Sequence, residues 1–190
     1  MKIVFCGVGA LGSHAALLCR NLDADLAFVD FDRVESKNVA SQGYVKPSIG
    51  KNKAEALKAI FSNFYGARAE AFGVRLAETN VDALLGPADL VIDAFDNKAS
   101  RDILSRYARE KKKPLVHAAI SADGTFGIVR WDPSFTADAE DQAGQATCEG
   151  GEHLPMLGLL AAVLARAIQD FAKHGAQHDA IVSLRSVTPT

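Results

Sequence analysis

The chain is poor in cysteine: three among 190 residues, Cys6, Cys19 and Cys148, with no CxxC pair. Three thiols exclude a paired disulfide framework, and the count alone excludes a four-cysteine zinc site. A surplus of either charge is also lacking, since 21 Lys and Arg stand against 23 Asp and Glu, a formal net charge of -2. Such a balance supplies no field for nucleic acid or an anionic membrane as a general partner, and neither is expected. The opening MKIVFCGVG has no succession of charged region, apolar core and cleavage site, so no signal peptide is expected and the expected location is the cytoplasm. Long hydrophobic runs are missing too. The longest, Leu154 to Ala165, has 12 residues, contains Pro155 and Gly158 and meets Arg166. That is too short and too broken to span a bilayer, and it reads as a buried helix.

What is present is core-forming material: 48% of the residues are hydrophobic, enough for one well-packed domain over residues 1–190. Apolar strand-like runs alternate with stretches at helical spacing, which predicts an α/β fold. The expected architecture is Rossmann-like and doubly wound, a mostly parallel mixed sheet with helices on both faces. Strands are predicted at KIVFCG, LAFVD, ARAEAFGV, LVIDA and PLVHAA, and helices near 11–22, 51–63, 98–111 and 155–173, with Gly66 and Gly175 as terminators. The Asp-Gly turn in SADGTFGIVRWDP predicts a hairpin or antiparallel strand extending the sheet. Thr136 to Glu152 lacks periodicity and reads as a mobile surface crossing. Cys6 and Cys19 sit in apolar surroundings and read as small core residues.

The first chemical motif is GVGALG, with Gly7, Gly9 and Gly12 in GxGxxG spacing after a strand and before a helix. The glycines allow a tight turn and close backbone approach, and the helix N-terminus offers N–H groups to phosphate oxygens. Asp30, 18 residues beyond Gly12 at the end of the second strand, is placed to accept hydrogen bonds from ribose hydroxyls. NAD, FAD and ATP all fit this half-site, and a glycine turn that merely packs helix on sheet gives the same pattern.

Beyond Asp30 the sequence continues in a way a dehydrogenase strand does not need, with Asp32, Glu35, Asn38 and Gln42. Three pieces, DFDRVESKN at 30–38, GKNKAEA at 50–56 and VIDAFDNKASR at 91–101, accompany the glycine loop in an order that resembles the ThiF, MoeB and HesA superfamily of ubiquitin-activating-like enzymes. The resemblance runs from Met1 to about His174, since CEGGEHLPMLGLLAAVLARAIQDF is similar to the family's late cysteine, proline and helix region.

The resemblance implies an ATP-dependent adenylyltransferase that uses magnesium to activate a carboxylate. The carboxylate is often the C-terminal glycine of a ubiquitin-like or sulfur-carrier protein, and a homodimer is implied. Asp96 matches the family's magnesium-binding acid, and its place after an apolar strand suits that role independently; capping the helix that begins near Asn97 is the alternative. Lys53 matches the lysine on the triphosphate, with Asn38 beside it; the alternative for Lys53 is a solvated lysine in a first helical turn. Lys51 lies about 160° away around such a helix, so only one of the two lysines faces the site. Asp30 is then assigned to ribose, Asp32, Gln42 and Asn97 to the nucleotide's surroundings, and Arg101 to bracing the turn at Asp96, with a solvated surface arginine as the alternative.

Two departures accompany the resemblance. The family's N-L-x-R-Q run reads Asn38, Val39, Ala40, Ser41, Gln42 here, so Ser41 stands where an arginine is usual. The family's other phosphate arginine precedes the first strand, where this chain begins. Lys37, Lys46, Lys51 or a partner's arginine are the candidate substitutes. Cys148 matches the cysteine that some members use for thioester or persulfide formation, with an incidental loop thiol as the alternative. Two rival functions stay open: a non-catalytic or partner-dependent ThiF-like subunit, and a nicotinamide-dependent oxidoreductase.

Overall fold

The computed structural model describes residues 1–135 and 153–186. The predicted crossing at 136–152, with Cys148, lies outside the described residues. Seven strands form one sheet: β1 (Lys2–Cys6), β2 (Asp25–Val29), β3 (Ala69–Phe72), β4 (Leu90–Asp93), β5 (Leu115–Ile120), β6 (Phe126–Trp131) and β7 (Ala180–Ser183), in the order β3-β2-β1-β4-β5-β6-β7. The first five run parallel, and β6 and β7 add antiparallel pairs. The mixed sheet expected from the Asp-Gly turn is therefore present. β7 is an addition to the expected strands, because a four-residue run with exposed Ile181 carries little strand signal.

Helices α1 (Ala10–Leu18), α2 (Lys53–Tyr65), α3 (Val81–Leu85), α4 (Lys98–Lys111) and α5 (Leu154–His174) cover both faces. On one face α1, α2 and α5 pack over Ile3, Phe5, Phe28 and Val129; on the other α3 and α4 pack over Val4, Val29, Val91 and Leu115. Central strands sandwiched this way lose the apolar-polar alternation of a half-exposed sheet, and Ile3 to Cys6 is wholly buried. Phe28 meets Phe5 and Phe61 edge to face at ring separations of 6.1 and 5.1 Å. Truncating an aromatic in such a cluster costs about 3–5 kcal/mol.

α5 is long and apolar enough to cross a membrane by composition, yet Met156, Leu157, Leu160, Ala161, Leu164, Ala165 and Ile168 form a buried stripe within the core. The buried-helix reading of this segment holds. Gly66 and Gly175 cap α2 and α5 as expected. α1 is a correction: it stops at Leu18, four residues short of the predicted end. The Arg20 guanidinium donates to the Leu17 carbonyl at 2.6 Å and Leu22 N–H to the Cys19 carbonyl at 3.0 Å. The Asn21 to Asp25 stretch prefers such turns to further helix.

The order of the strands decides where a ligand can sit. Chain connections leave β1 in one direction across the sheet and β4 in the other, so the C-terminal ends of these neighbours flank a topological switch point, where open α/β sheets bind ligands. The glycine loop comes directly after β1, and the Asp96 turn directly after β4.

Candidate functional site

The glycine loop and the end of β4 are built against each other. Gly7 has φ +84°, and a methyl there would lie 2.8 Å from the Ala94 carbonyl oxygen; a methyl on Gly12 would overlap the Gly7 carbonyl. Both glycines are thus required by close backbone approach. Gly9 differs, since a methyl there meets nothing within 4 Å. It is the N-cap of α1 and has no side chain with which to cap the helix. The N-terminus of α1 is accordingly left with open space over it and with N–H groups suited to an anion.

Asp30 sits behind this loop, 5% exposed. One carboxylate oxygen accepts from Val8 N–H and the other from Asp32 N–H, each at 2.9 Å. Burial raises its pKa above the usual carboxylate value, against the pull of these two hydrogen bonds and of Lys53. Asp30 is therefore a structural clamp on the loop as well as a candidate ribose contact. Asn52 completes the clamp: its amide donates to the Asp30 and Asp32 carbonyls at 2.8 and 3.1 Å, while its Oδ1 accepts from Glu55 N–H and caps α2.

Lys53 is not the solvated lysine of the alternative reading. Its side chain is largely buried, with Nζ 3.1 Å from Asp32 Oδ2, whereas Lys51 is exposed. The structure separates the two lysines, but not by helical phase: α2 begins at Lys53, Lys51 lies before its Asn52 cap, and the inward lysine pairs with Asp32.

Glu35 and Asn38 close a reciprocal cap on a single 3-10 turn, Ser36–Ala40. Asn38 is buried, its Oδ1 accepting from Glu35 N–H at 2.8 Å. That gives Asn38 a structural job and gives Glu35, assigned no role from sequence, one as well. Ser41 is buried rather than facing solvent, and its carbonyl accepts from His14 Nε2 of α1 at 3.2 Å. Gln42 Oε1 is buried with no hydrogen-bond partner among the described residues, an acceptor left over by the fold. Tyr44, which sequence reasoning missed, ties the segment down: its hydroxyl donates to the Val8 carbonyl at 2.5 Å and lies 3.3 Å from the Lys53 carbonyl. Lys37, Lys46 and Lys51, the candidate substitutes for the missing arginine, are all exposed.

Asp96 stands across the crevice in the turn between β4 and α4. It is exposed, and its carboxylate makes no hydrogen bond or ion pair among the described residues. The helix cap proposed as its alternative role belongs to Asn97, whose Oδ1 accepts from Ser100 N–H at 3.0 Å. Arg101 braces the turn as expected, with Nε donating to the Phe95 carbonyl at 2.8 Å and Nη2 to the Ala118 carbonyl at 3.2 Å. Among the described residues no three His, Cys, Asp or Glu side chains converge to cage an ion. The residues present fit a magnesium held by one carboxylate, with phosphate oxygens and waters completing its shell. Asp96 is the acid free to do so.

Behind Asp96 lies a buried network that sequence reasoning missed. Asp93 ends β4 and pairs in register with His117 of β5. His117 Nδ1 is 2.7 Å from Asp93 Oδ2, and its Nε2 is 3.0 Å from Asp132 Oδ1. Arg109 of α4 clamps the far carboxylate, Nε to Oδ2 at 2.6 Å. Burial alone would raise the Asp132 pKa, but the Arg109 and His117 hydrogen bonds outweigh it and leave it lowered. A histidine inside the apolar run PLVHAA was the available signal; only the strand register reveals the acid opposite it.

A doubly wound domain with a glycine loop, a buried acid at the end of β2 and an exposed acid after β4, gathered at its switch point, has the architecture of the Rossmann-like α/β class. Comparison with known proteins narrows the class. The model of the ThiF family matches residues 1–173, and the chain belongs to that family. It is 39% identical over 132 residues to the sulfur carrier protein adenylyltransferase of Thermus thermophilus, an alignment covering 67% of this chain and 48% of that protein. Identity to the molybdopterin-synthase adenylyltransferase of Escherichia coli is 27% over 184 residues, covering 92% and 74%. A crystal structure of E. coli MccB with ATP superimposes with a TM-score of 0.79 at 16% identity, covering 98% of this chain and 61% of that one. The chain spans less than half the length of several of the curated relatives it matches.

Proposed function

We propose that this chain is an ATP-dependent adenylyltransferase domain, residues 1–190 forming one unit that activates a carboxylate. The observation that carries the reading is the pairing, across the switch point, of the α1 N-terminus, with open space at its Gly9 cap, and Asp96, an exposed acid with no partner among the described residues. The names of the relatives support ATP and a sulfur-carrier protein as the substrates. In this reading the α1 N–H groups and Lys53 hold phosphate oxygens, Asp30 takes the ribose, and Asn38, Gln42 and Asn97 shape the walls. Gln42 Oε1 supplies an acceptor that the fold leaves unused.

The carrier's terminal carboxylate oxygen attacks the α phosphorus; a P–O bond forms, the bond to the β-phosphate oxygen breaks, and pyrophosphate leaves with that electron pair. Magnesium on Asp96 would offset the charge gathering on the leaving group. Lys53 reaches the phosphates by exchanging Asp32 for them, a swap of one anionic partner for another. A carrier with a flexible Gly-Gly tail, a homodimeric assembly and a later transfer to Cys148 complete the proposal. Cys148→Ala tests the last step, since normal acyl or sulfur transfer by that variant removes the cysteine from it.

The main test is thermal unfolding with ATP and magnesium, and separately with NAD. Ligand at about a hundred times its Kd adds roughly 2.7 kcal/mol, about 5–10 °C for a chain of this size. The expected result is stabilisation by ATP that requires magnesium and is lost in Asp96→Ala. Stabilisation by NAD alone would overturn the proposal in favour of a redox enzyme. A second reading, a partner-dependent subunit, is favoured by the buried Ser41 in place of a cation and by the Lys53–Asp32 pair. ATP binding without carrier-dependent pyrophosphate exchange would select it.

A further inference from the structure

Among the described residues the Asp96 carboxylate makes no hydrogen bond or ion pair, so its direction is set by the backbone of the turn from Ala94 to Asn97. That turn is held from behind. Phe95 N–H donates to Asp93 Oδ1 at 3.0 Å, the Phe95 carbonyl accepts from Arg101, and Ala94 N–H donates to the Cys6 carbonyl at 2.9 Å. Asp93 is wholly buried. Its second oxygen, Oδ2, faces His117 Nδ1 at 2.7 Å, with Arg101 Nε farther away at 3.7 Å.

His117 is itself fixed on every side. Its other nitrogen faces Asp132, its ring stacks on Phe135 at 3.7 Å and 12°, and the ring is fully buried. Asp132 and Phe135 are in turn gripped by Arg109, which donates to the Asp132 carboxylate and to the Phe135 carbonyl at 3.2 Å. A continuous chain of hydrogen bonds therefore runs from the Asp96 turn through Asp93, His117 and Asp132 to α4 and to the strand end after β6. Residues 132–135 lead directly into the segment that contains Cys148.

We propose that His117 is a positioning residue for the metal-binding turn: by holding Asp93 Oδ2 it leaves Oδ1 aimed at Phe95 N–H, and so sets where Asp96 presents its carboxylate. The inference rests on the reading of Asp96 as the magnesium ligand. Groups behind a metal ligand tune affinity without touching the ion, with losses of about 10–100-fold on removal. His117 acts at one remove from the ligand, so the lower end, about tenfold, is expected.

The experiment is a magnesium chloride titration at fixed ATP, read by thermal unfolding of the intact chain, with wild type, His117→Gln and Asp132→Asn. The expected result is a magnesium midpoint about tenfold higher for His117→Gln and a smaller rise for Asp132→Asn. The shift given by ATP without magnesium should stay the same in all three. Asp132→Asn retains the side-chain volume and an acceptor, and keeps the test open if His117→Gln does not fold. Variants that unfold at lower temperature without ligand, yet share the wild-type magnesium midpoint, would overturn the positioning role and leave His117 as a core residue only. Wild type that shows no magnesium dependence with ATP would overturn the reading of Asp96 itself, and that outcome is read before any variant is made.

Discussion

Asp30 and Asp96 each come after a parallel strand at the same edge of the sheet, but the fold treats them in opposite ways. Asp30 is buried, with both oxygens occupied by backbone N–H groups. Asp96 is exposed, with neither oxygen occupied by any of the described residues. The difference teaches that one side of the crevice is pre-built and the other is kept available. The side around β2 is a closed set of hydrogen bonds, in which Asn52, Tyr44 and Asn38 lock the loop from residue 30 to residue 53. The side around β4 is held from behind, by Asp93, Arg101 and the Cys6 carbonyl. Under the proposed function, donors fixed on one wall and an exposed acid on the other would suit a site that admits a metal-bound anion and releases it.

Stability measurements can break this comparison, and the largest effect is expected at Asp30. Asp30→Ala strands the buried Val8 N–H and the part-buried Asp32 N–H, at about 1–3 kcal/mol for an unsatisfied buried donor. The expected loss is about 2–3 kcal/mol, or roughly 5–10 °C in Tm for a chain of this length. A loss below about 0.5 kcal/mol would mean that water replaces the carboxylate and the wall is not closed. Next in size is Tyr44→Phe, which deletes the hydroxyl joining the 38–44 loop to the glycine loop. About 1 kcal/mol should go, along with hydrogen-exchange protection at Ser41 to Tyr44. Unchanged protection there would show that Gly43 N–H on Ser13 Oγ, at 2.9 Å, suffices to hold the loop. Asp96→Ala should be the smallest of the three, within about 0.5 kcal/mol without ligand, as for an exposed side chain with no partner. A larger loss in chemical denaturation would place a hidden structural role on the acid read as free.

How much of this is legible in the sequence depends on the range of each signal. Strand and helix placement rests on local periodicity, and the GVGALG turn on backbone rules that act within six residues; both are readable. The helical angle expected to separate Lys51 from Lys53 does not apply, because α2 starts at Lys53 and Lys51 precedes its cap. The capping box of Glu35 and Asn38 is local too, three residues apart, but it sits on a 3-10 turn too short to show any apolar period. The end of α1 is overrun because the apolar pattern persists through Leu22 while the backbone has already turned. His117 stands out within its apolar run, but the Asp93, His117 and Asp132 network is not legible. Its members are 24 and 15 residues apart, and only the parallel register of β4 with β5 brings the first two together. Tyr44 is hidden for the same reason, 36 residues from the carbonyl it binds.

A third acid sharpens the contrast between tied and free carboxylates. Asp123, at the Asp-Gly turn before β6, is exposed like Asp96 but has partners: Ser121 Oγ at 2.6 Å, Thr125 Oγ1 at 2.8 Å and Thr125 N–H at 3.1 Å. The Ser121 hydroxyl first, and then the Thr125 groups, lower its pKa from 3.8 to about 2. The folded value lies below the unfolded one, so its contribution is fully present above about pH 4 and is lost as pH falls through about 2. Asp30 has the opposite sign, because its folded pKa is raised; what it contributes is greatest below the ordinary carboxylate value and is lost as pH rises through the folded one. Urea midpoints for wild type and Asp123→Asn should therefore converge as pH drops from about 4 toward about 2, since Asn keeps an acceptor but cannot titrate. Curves that stay parallel across that window would mean the Asp123 carboxylate is as free of its turn as Asp96 is of its own.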